Sequence, residues 1–379
     1  TCCLLLFLAT MTLVTVSHSF GLLWVAVEAT TLASAPLIYF HRHRRSLEAT
    51  WKYLIVCSVG IALALLGNFF LAIAATQPPG QPVVPLVLGD LLNAAPSLNV
   101  EWLKAAFLLL LVGYGTKMGL APLHTWLPDA HSEAPSMVSA LLSGALLNCA
   151  LLAILRILQV CLKAGLEDFA QPLMILFGLA SLVVAAVFII RQGDFKRMLV
   201  YSSVEHMGLV ALGVGLAGAA GFGAMLHAVN HSLTKGLLFL VAGNILAAYR
   251  TKSVSDTSGV VHVLPVSGVL WLAGFLAISG SPPFGPFVSE LVIFKAAFDQ
   301  GRAWVAVLAL GLLIVIFIGM AAAVLRMAYG TPSPAILAAR PRDSWRTTLP
   351  PIVLGGLVLL LGVYVPPTLE ELLRRAAQA

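Results

Sequence analysis

Lys117-Met118-Gly119-Leu120-Ala121-Pro122-Leu123-His124-Thr125-Trp126-Leu127-Pro128-Asp129-Ala130-His131-Ser132-Glu133-Ala134-Pro135 follows directly on an apolar run that begins at Leu103. An ammonium at bilayer depth costs several kcal/mol unless it faces a paired or wet interior, so Lys117 is a functional-site candidate on cost alone. Gly119 and Pro122 then break the helix. Four more titratable groups flank the break: His124, Asp129, His131 and Glu133. They either neutralise backbone groups freed by the break or lead towards the cytoplasm, and sequence does not separate the two.

The surrounding chain fixes the medium. Hydrophobic residues make up 60% of the 379 residues and charged ones 10%, which no water-soluble surface of this size would carry. About eleven apolar runs recur, near 2–18, 20–40, 51–74, 103–131, 137–160, 171–190, 198–217, 222–247, 263–298, 303–326 and 349–365. The fold class is therefore an all-α polytopic membrane protein, because helices satisfy their own backbone in lipid. The first run lacks a basic leader and a small-residue cleavage motif and reads as a genuine span. A chain starting Thr1-Cys2-Cys3 without Met reads as a fragment or trimmed product.

The net charge of +6 does not form a nucleic-acid face. Basic residues sort by connection instead: Arg42, Arg44, Arg45 and Lys52; Arg191, Lys196 and Arg197; Arg250 and Lys252; Arg326, Arg340, Arg342 and Arg346. Span parity puts all four on one side, which the positive-inside rule makes cytoplasmic. The Pro-rich stretch 76–100 carries no Lys or Arg and falls outside. Cys2, Cys3, Cys57, Cys149 and Cys161 show no ligand-like spacing, so metal, iron–sulfur and haem binding are not expected. Nor is there a P-loop, nucleophile elbow or dinucleotide fingerprint.

A second apolar run, 263–298, breaks at Gly280-Ser281-Pro282-Pro283-Phe284-Gly285-Pro286 and carries Glu290 just beyond. Paired broken helices entering from opposite sides predict inverted repeats with an ion site near the breaks. This divides the chain into a first bundle at 1–160, a second at 161–330, and a basic loop, last span and short tail at 331–379. Glu28, mid-span in Val27-Glu28-Ala29-Thr30-Thr31, needs a partner or a proton: either a structural ion pair or a group whose approach decides whether Lys117 keeps its proton. His227, His231 and Lys235 recur every four residues, a stripe roughly 12 Å long suited to a proton relay. Glu205 and His206 are adjacent, so they face different directions, and offer a candidate inlet. Lys295, five residues beyond Glu290, is a candidate exit partner, whereas Lys104 lies where lysines snorkel to the interface.

Two runs carry a resemblance: Lys117 to His131, and His231-Ser232-Leu233-Thr234-Lys235-Gly236-Leu237-Leu238-Phe239. They are similar to the antiporter-like subunits of respiratory complex I, multisubunit sodium/proton antiporters and membrane-bound hydrogenases. Together with Val27 to Thr31, Tyr201-Ser202-Ser203-Val204-Glu205-His206-Met207-Gly208 and Pro282 to Glu290, they most resemble the hydrogenase-4 component F subgroup. The resemblance implies a fourteen-helix fold with two inverted five-helix bundles and a polar midplane axis. It implies Glu28 and Lys117 as the Glu–Lys pair, His231 and Lys235 as the central axis, and Glu290 as the terminal residue. It also implies no cofactor in this chain, the redox chemistry residing in a peripheral module. The chain departs from the family in starting near its fourth helix, so that about three N-terminal spans are absent from this sequence. Where some relatives carry a titratable residue, 137–160 offers Ser143 and Asn148, so continuity from Lys117 to His231 would rest on water.

The expected function is a non-catalytic, proton-translocating subunit of an energy-converting oxidoreductase complex. It would sit in the inner (plasma) membrane among other membrane subunits, with Na⁺ as the alternative cation. A stand-alone cation/proton antiporter or inorganic-carbon uptake complex is a second expectation, and a non-transporting scaffold a third.

Overall fold

A computed structural model describes residues 1–76 and 84–378. The first half runs through α1 (Cys2–Val16), α2 (Phe20–Ile38), α3 (Arg44–Ala74), α4 (Leu88–Ala94), α5 (Val100–Met118), α6 (Leu127–Glu133), α7 (Ser136–Leu141) and α8 (Leu147–Lys163). It continues through α9 (Glu167–Ile189), α10 (Phe195–Leu216), α11 (Ala219–Tyr249), α12 (Val260–Val263), α13 (Pro265–Ile278) and α14 (Gly285–Asp299). The last helices are α15 (Ala303–Tyr329), α16 (Pro334–Ala339), α17 (Trp345–Val363) and α18 (Pro367–Gln378). Among the described residues, extended pairing is confined to single bridges, Ser19 with Val87 and Asp194 with Ser253.

Among the described residues, eight helices are long and apolar enough to cross a bilayer, with α7 and α8 counting as one through the π-helical turn Leu142–Leu146. Helices α1 and α13 are shorter apolar segments. The pairs α5/α6 and α13/α14 fill the two runs expected to be interrupted, so each of the eleven apolar runs reappears as helix. The Pro-rich stretch lies partly outside the described residues; from Leu88 it forms α4. The expected short tail is the helix α18, where Arg374 and Glu370 pair at 2.7 Å and the Arg374 guanidinium lies 4.6 Å from the Phe222 ring of α11.

The chain divides into two compact units, Thr1–Ala134 with Ala145–Met174, and Pro135–Gly144 with Ile175–Ala379. In the first, α3 and α5 cross at two glycines. A Cβ on Gly113 would lie 2.6 Å from the Gly60 carbonyl oxygen and 2.7 Å from Ala64 N. Lipid tails offer no hydrophobic gain for helix association, so such close backbone approach supplies the contact. Arg156 of α8, 6% exposed, donates to the Ser17 and Thr15 carbonyls and satisfies the end of α1. In the second unit α9 and α10 cross at Gly178 and Gly208, whose added Cβ atoms would come within 2.7 and 2.8 Å of each other's carbonyl. Apolar side chains of α9, α10, α14 and α15, among them Leu182, Leu212, Ile293 and Val305, close its core. Trp51 and Trp102 in the first unit, and Trp304 and Trp345 in the second, are exposed near helix starts, as interfacial tryptophans are.

Candidate functional site

Both broken helices end in the same way. At the first break the Leu120 N–H donates to the Gly115 carbonyl and the Gly119 N–H to that of Thr116, with Gly119 left-handed at φ 81°. At the second, Ser281 donates to Leu276 and Gly280 to Ala277, with Gly280 at φ 65°. This is the Schellman ending, and glycine supplies the left-handed residue it requires. A cis X–Pro bond follows each, Ala121–Pro122 and Pro282–Pro283. Aligned on their glycines, the two breaks place Asp129 opposite Glu290, and Lys117 opposite Ile278. Lys117 and Glu290 therefore occupy different positions of one shared frame.

Lys117 closes the last turn of α5, fully buried. Its Nζ donates to Thr31 Oγ1 and to the Tyr53 hydroxyl, each at 2.7 Å, and lies 4.6 Å from the Tyr53 ring and 5.8 Å from that of Trp126. Glu28 is half-buried and forms no ion pair with Lys117. Thr31 stands between them, accepting from the lysine and donating to Glu28 Oε2 at 3.2 Å, while Ser58 donates to Oε1 at 2.9 Å. The Tyr53 hydroxyl meets Ser34 Oγ at 2.6 Å. With Lys117 charged, every proton in this chain points away from it: Tyr53 to Ser34, and Ser34 to the Thr30 carbonyl at 2.7 Å. Trp126 completes the cage by donating Nε1–H at 2.8 Å to the Thr116 carbonyl, which also accepts from the Gly119 N–H.

Of the flanking residues, His124 and His131 are buried, the latter 6.3 Å from the Trp126 ring centroid to centroid. Asp129 accepts from Lys52 at 3.1 Å, and Glu133 lies 3.5 Å from His43 Nε2. The two carboxylates thus pair with the first part of α3, Asp129 with Lys52 in its third turn and Glu133 with its N-cap residue His43.

In the second unit α10 and α11 run antiparallel and present matching polar faces. Lys235, fully buried, donates to the Leu199 carbonyl at 2.6 Å and to Ser202 Oγ. Ser203 also donates to the Leu199 carbonyl, at 3.2 Å, and meets Ser143 of the π-helical turn at 2.8 Å. Further along, His206 lies between His227 and His231, with ring centroids at 4.8 and 5.3 Å.

The partners set the imidazole protons. The Ile278 carbonyl can only accept, so His206 Nε2 carries hydrogen and donates to it at 2.9 Å. Neutral His206 then accepts at Nδ1 from His227 Nε2–H at 2.7 Å, and His227 Nδ1 accepts from Ser289 Oγ at 2.9 Å. A proton added to His227 reverses the Ser289 bond, and Ser289 then donates to the Pro286 carbonyl at 2.9 Å. The bonds around His227 therefore fit either protonation state of its ring with the same heavy-atom positions.

Glu205 faces away from the histidines. It shares with Ser279 and Glu290 a cavity of about 10 Å³, room for roughly one water. Glu290 also lines an apolar groove of about 420 Å³ with Phe287, Leu291, Phe294, Phe298 and Leu310. Lys295 stands on that groove but is mostly exposed, and its ion-pair partner is Asp299 at 2.6 Å. His206, His227 and Glu290 bring one potential ligand atom each within 4.8 Å of one another, but all four ring nitrogens of the two histidines are engaged in the hydrogen bonds above. Sequence reasoning missed Tyr53, Ser58, Ser34, Ser202 and Ser289, hydroxyls whose burial carries too little cost to stand out in an apolar run.

Residues 17–316 match the family described as NADH:quinone oxidoreductase/Mrp antiporter, transmembrane region. The chain belongs to this family. It is similar to a hydrogenase-4 component F homolog of Methylacidiphilum infernorum (isolate V4), 39% identical over 363 residues, 95% of this chain and 75% of that one. It superposes on a chain of the membrane-bound sulfane sulfur reductase, an archaeal respiratory membrane complex, with TM-score 0.89 at 24% identity, covering 99% of this chain and 74% of the other. A chain of respiratory complex I from Thermus thermophilus gives TM-score 0.77 at 26% identity, covering 95% and 77%. The chain is an antiporter-like subunit of the type found in multisubunit membrane complexes, and its buried lysine, glutamate and histidine residues fit a proton-translocation axis.

Proposed function

We propose that this subunit moves protons for a hydrogenase-4-like, energy-converting oxidoreductase complex of the plasma membrane, whose electron-transfer reaction resides in a peripheral module. One observation carries the reading: Lys117 and Lys235 are both fully buried and hydrogen-bonded to hydroxyl and carbonyl oxygens, without a carboxylate in contact. A permanent structural charge in low dielectric would be matched by a counter-charge. An ammonium held by neutral dipoles alone is poised to lose its proton when one acceptor withdraws.

Glu28 supplies the bias for Lys117. Its negative charge reaches the ammonium through the Thr31 hydroxyl, so a shift of Glu28 away from Thr31 weakens the acceptor and favours release. In the second unit Lys235, the three histidines and Glu290 form the receiving axis, with the His227–Ser289 bond as its reversible element. The shared Schellman and proline frame of the breaks supports an internal repeat, each copy serving as one half of the pathway. Energised membrane vesicles carrying the intact complex test this. Lys117→Ala or Lys235→Ala is expected to abolish proton pumping while the complex still assembles; pumping at the unmodified rate would refute it.

A further inference from the structure

The end of α9, the connection that follows it, the turn at Val254 and Ser255, and α15 enclose a cavity of about 530 Å³ unrelated to the polar axis. Its apolar wall comes from Ile190 and from α15, where Gly319, Ala322, Ala323 and Arg326 fall at i, i+3, i+4 and i+7 and so share one face. Elsewhere α15 is dense in Leu, Ile, Val and Phe. The missing side-chain volume on this face leaves a trough. Its depth is fixed by Gly319, where an added Cβ would lie 2.9 Å from Ile189 Cγ2.

Arg191 and Arg326 stand on the rim of the cavity, both exposed, and neither guanidinium is in an ion pair among the described residues. Both follow or close a helix C-terminus on the side of the basic connections. That is the level at which phosphate headgroups lie, while the trough extends along α15 into the hydrocarbon layer. The two ends of the cavity therefore ask for different chemistry: a delocalised anion matched to guanidinium forks at one, and a saturated chain at the other. Free phosphate would leave the trough unused, and an apolar helix would leave both arginines unpaired.

We infer that this groove binds an anionic phospholipid, its phosphate between Arg191 and Arg326 and one acyl chain along Ile318, Gly319 and Ala322. The test uses the protein purified within its native complex and measures retained phosphatidylglycerol against phosphatidylethanolamine by native mass spectrometry. Two interfacial basic residues correspond to roughly 30-fold in affinity for an anionic headgroup. R191Q/R326Q is expected to lose phosphatidylglycerol by about that factor. A323L, which fills the trough without altering charge, is expected to lose it as well, whereas R340Q/R342Q on the neighbouring connection keeps it. Equal loss in R340Q/R342Q, or full retention in R191Q/R326Q, overturns the assignment. So does equally tight binding of inorganic phosphate alone, or capture of a protein chain rather than lipid by a photocrosslinker placed at Ile318.

Discussion

Replacing Thr31 by valine keeps the volume and branching of the side chain and removes only its hydroxyl. That hydroxyl makes two bonds, accepting from Lys117 at 2.7 Å and donating to Glu28 at 3.2 Å. A hydrogen bond to a charged group is worth about 1.5–3 kcal/mol. The Lys117 ammonium would keep Tyr53 and the aromatic faces but lose its link to Glu28, so the effect is on coupling more than on burial. Converted to rate, 1.5–3 kcal/mol is about 10- to 150-fold. Proton uptake by vesicles carrying the intact complex should fall by that factor in Thr31→Val and recover in Thr31→Ser, which restores the hydroxyl and lacks one methyl. Two results would refute the reasoning. Undiminished pumping in Thr31→Val would mean that Glu28 does not act through this residue. Equal loss in Thr31→Ser would mean that packing by the methyl group, and not the bridge, is what matters.

Tyr53→Phe retains the ring beside Lys117 but removes the acceptor and the link to Ser34; proton transport in the same vesicles should drop about tenfold or more, the lower end of the charged hydrogen-bond range. His206→Gln can still donate to the Ile278 carbonyl but cannot relay, so transport should fall about 100-fold, as for loss of a proton-transfer group, with thermal stability of the complex little changed. Gly113→Ala forces α3 and α5 apart and should lower the melting temperature through an overpacking cost of about 1–3 kcal/mol, while Gly311→Ala, which meets nothing within 4 Å, should leave it unchanged.

Much of this site was legible in the sequence because charge in an oily run is expensive. Lys117 and Lys235 announce themselves by that cost, and the structure buries both fully, while the two Gly/Pro breaks show as residues through which an apolar helix does not continue. What stayed hidden was the second side of each interaction. Asp129 and Glu133 sit beside the break in sequence, yet their partners Lys52 and His43 come from the start of α3, and no local pattern indicates that pairing. The α11 stripe was visible as His227, His231 and Lys235, whereas its counterpart on α10 consists of Leu199, Ser202 and His206, only one of them titratable. Adjacent on one helix, Glu205 and His206 face different directions, His206 towards α11 and Glu205 towards Glu290.

The common frame of the two breaks explains why a buried lysine sits at one break and a buried glutamate at the other. A helix interrupted within the membrane exposes free carbonyls at the end of its first half and free N–H groups at the start of its second. The first end favours a cation and the second an anion. Lys117 occupies the last turn of α5, and Glu290 lies in the second turn of α14. Each charge thus sits at the half-helix end whose dipole suits it. At the complementary positions the chain has dispensed with charge or moved it: Ile278 stands where Lys117 does, offering only its carbonyl to His206, and Asp129 is drawn into a surface pair with Lys52. The cation of the second unit is supplied by α11 instead, as Lys235. Two copies of one broken-helix frame can therefore differ in where they hold charge while sharing the same backbone turn.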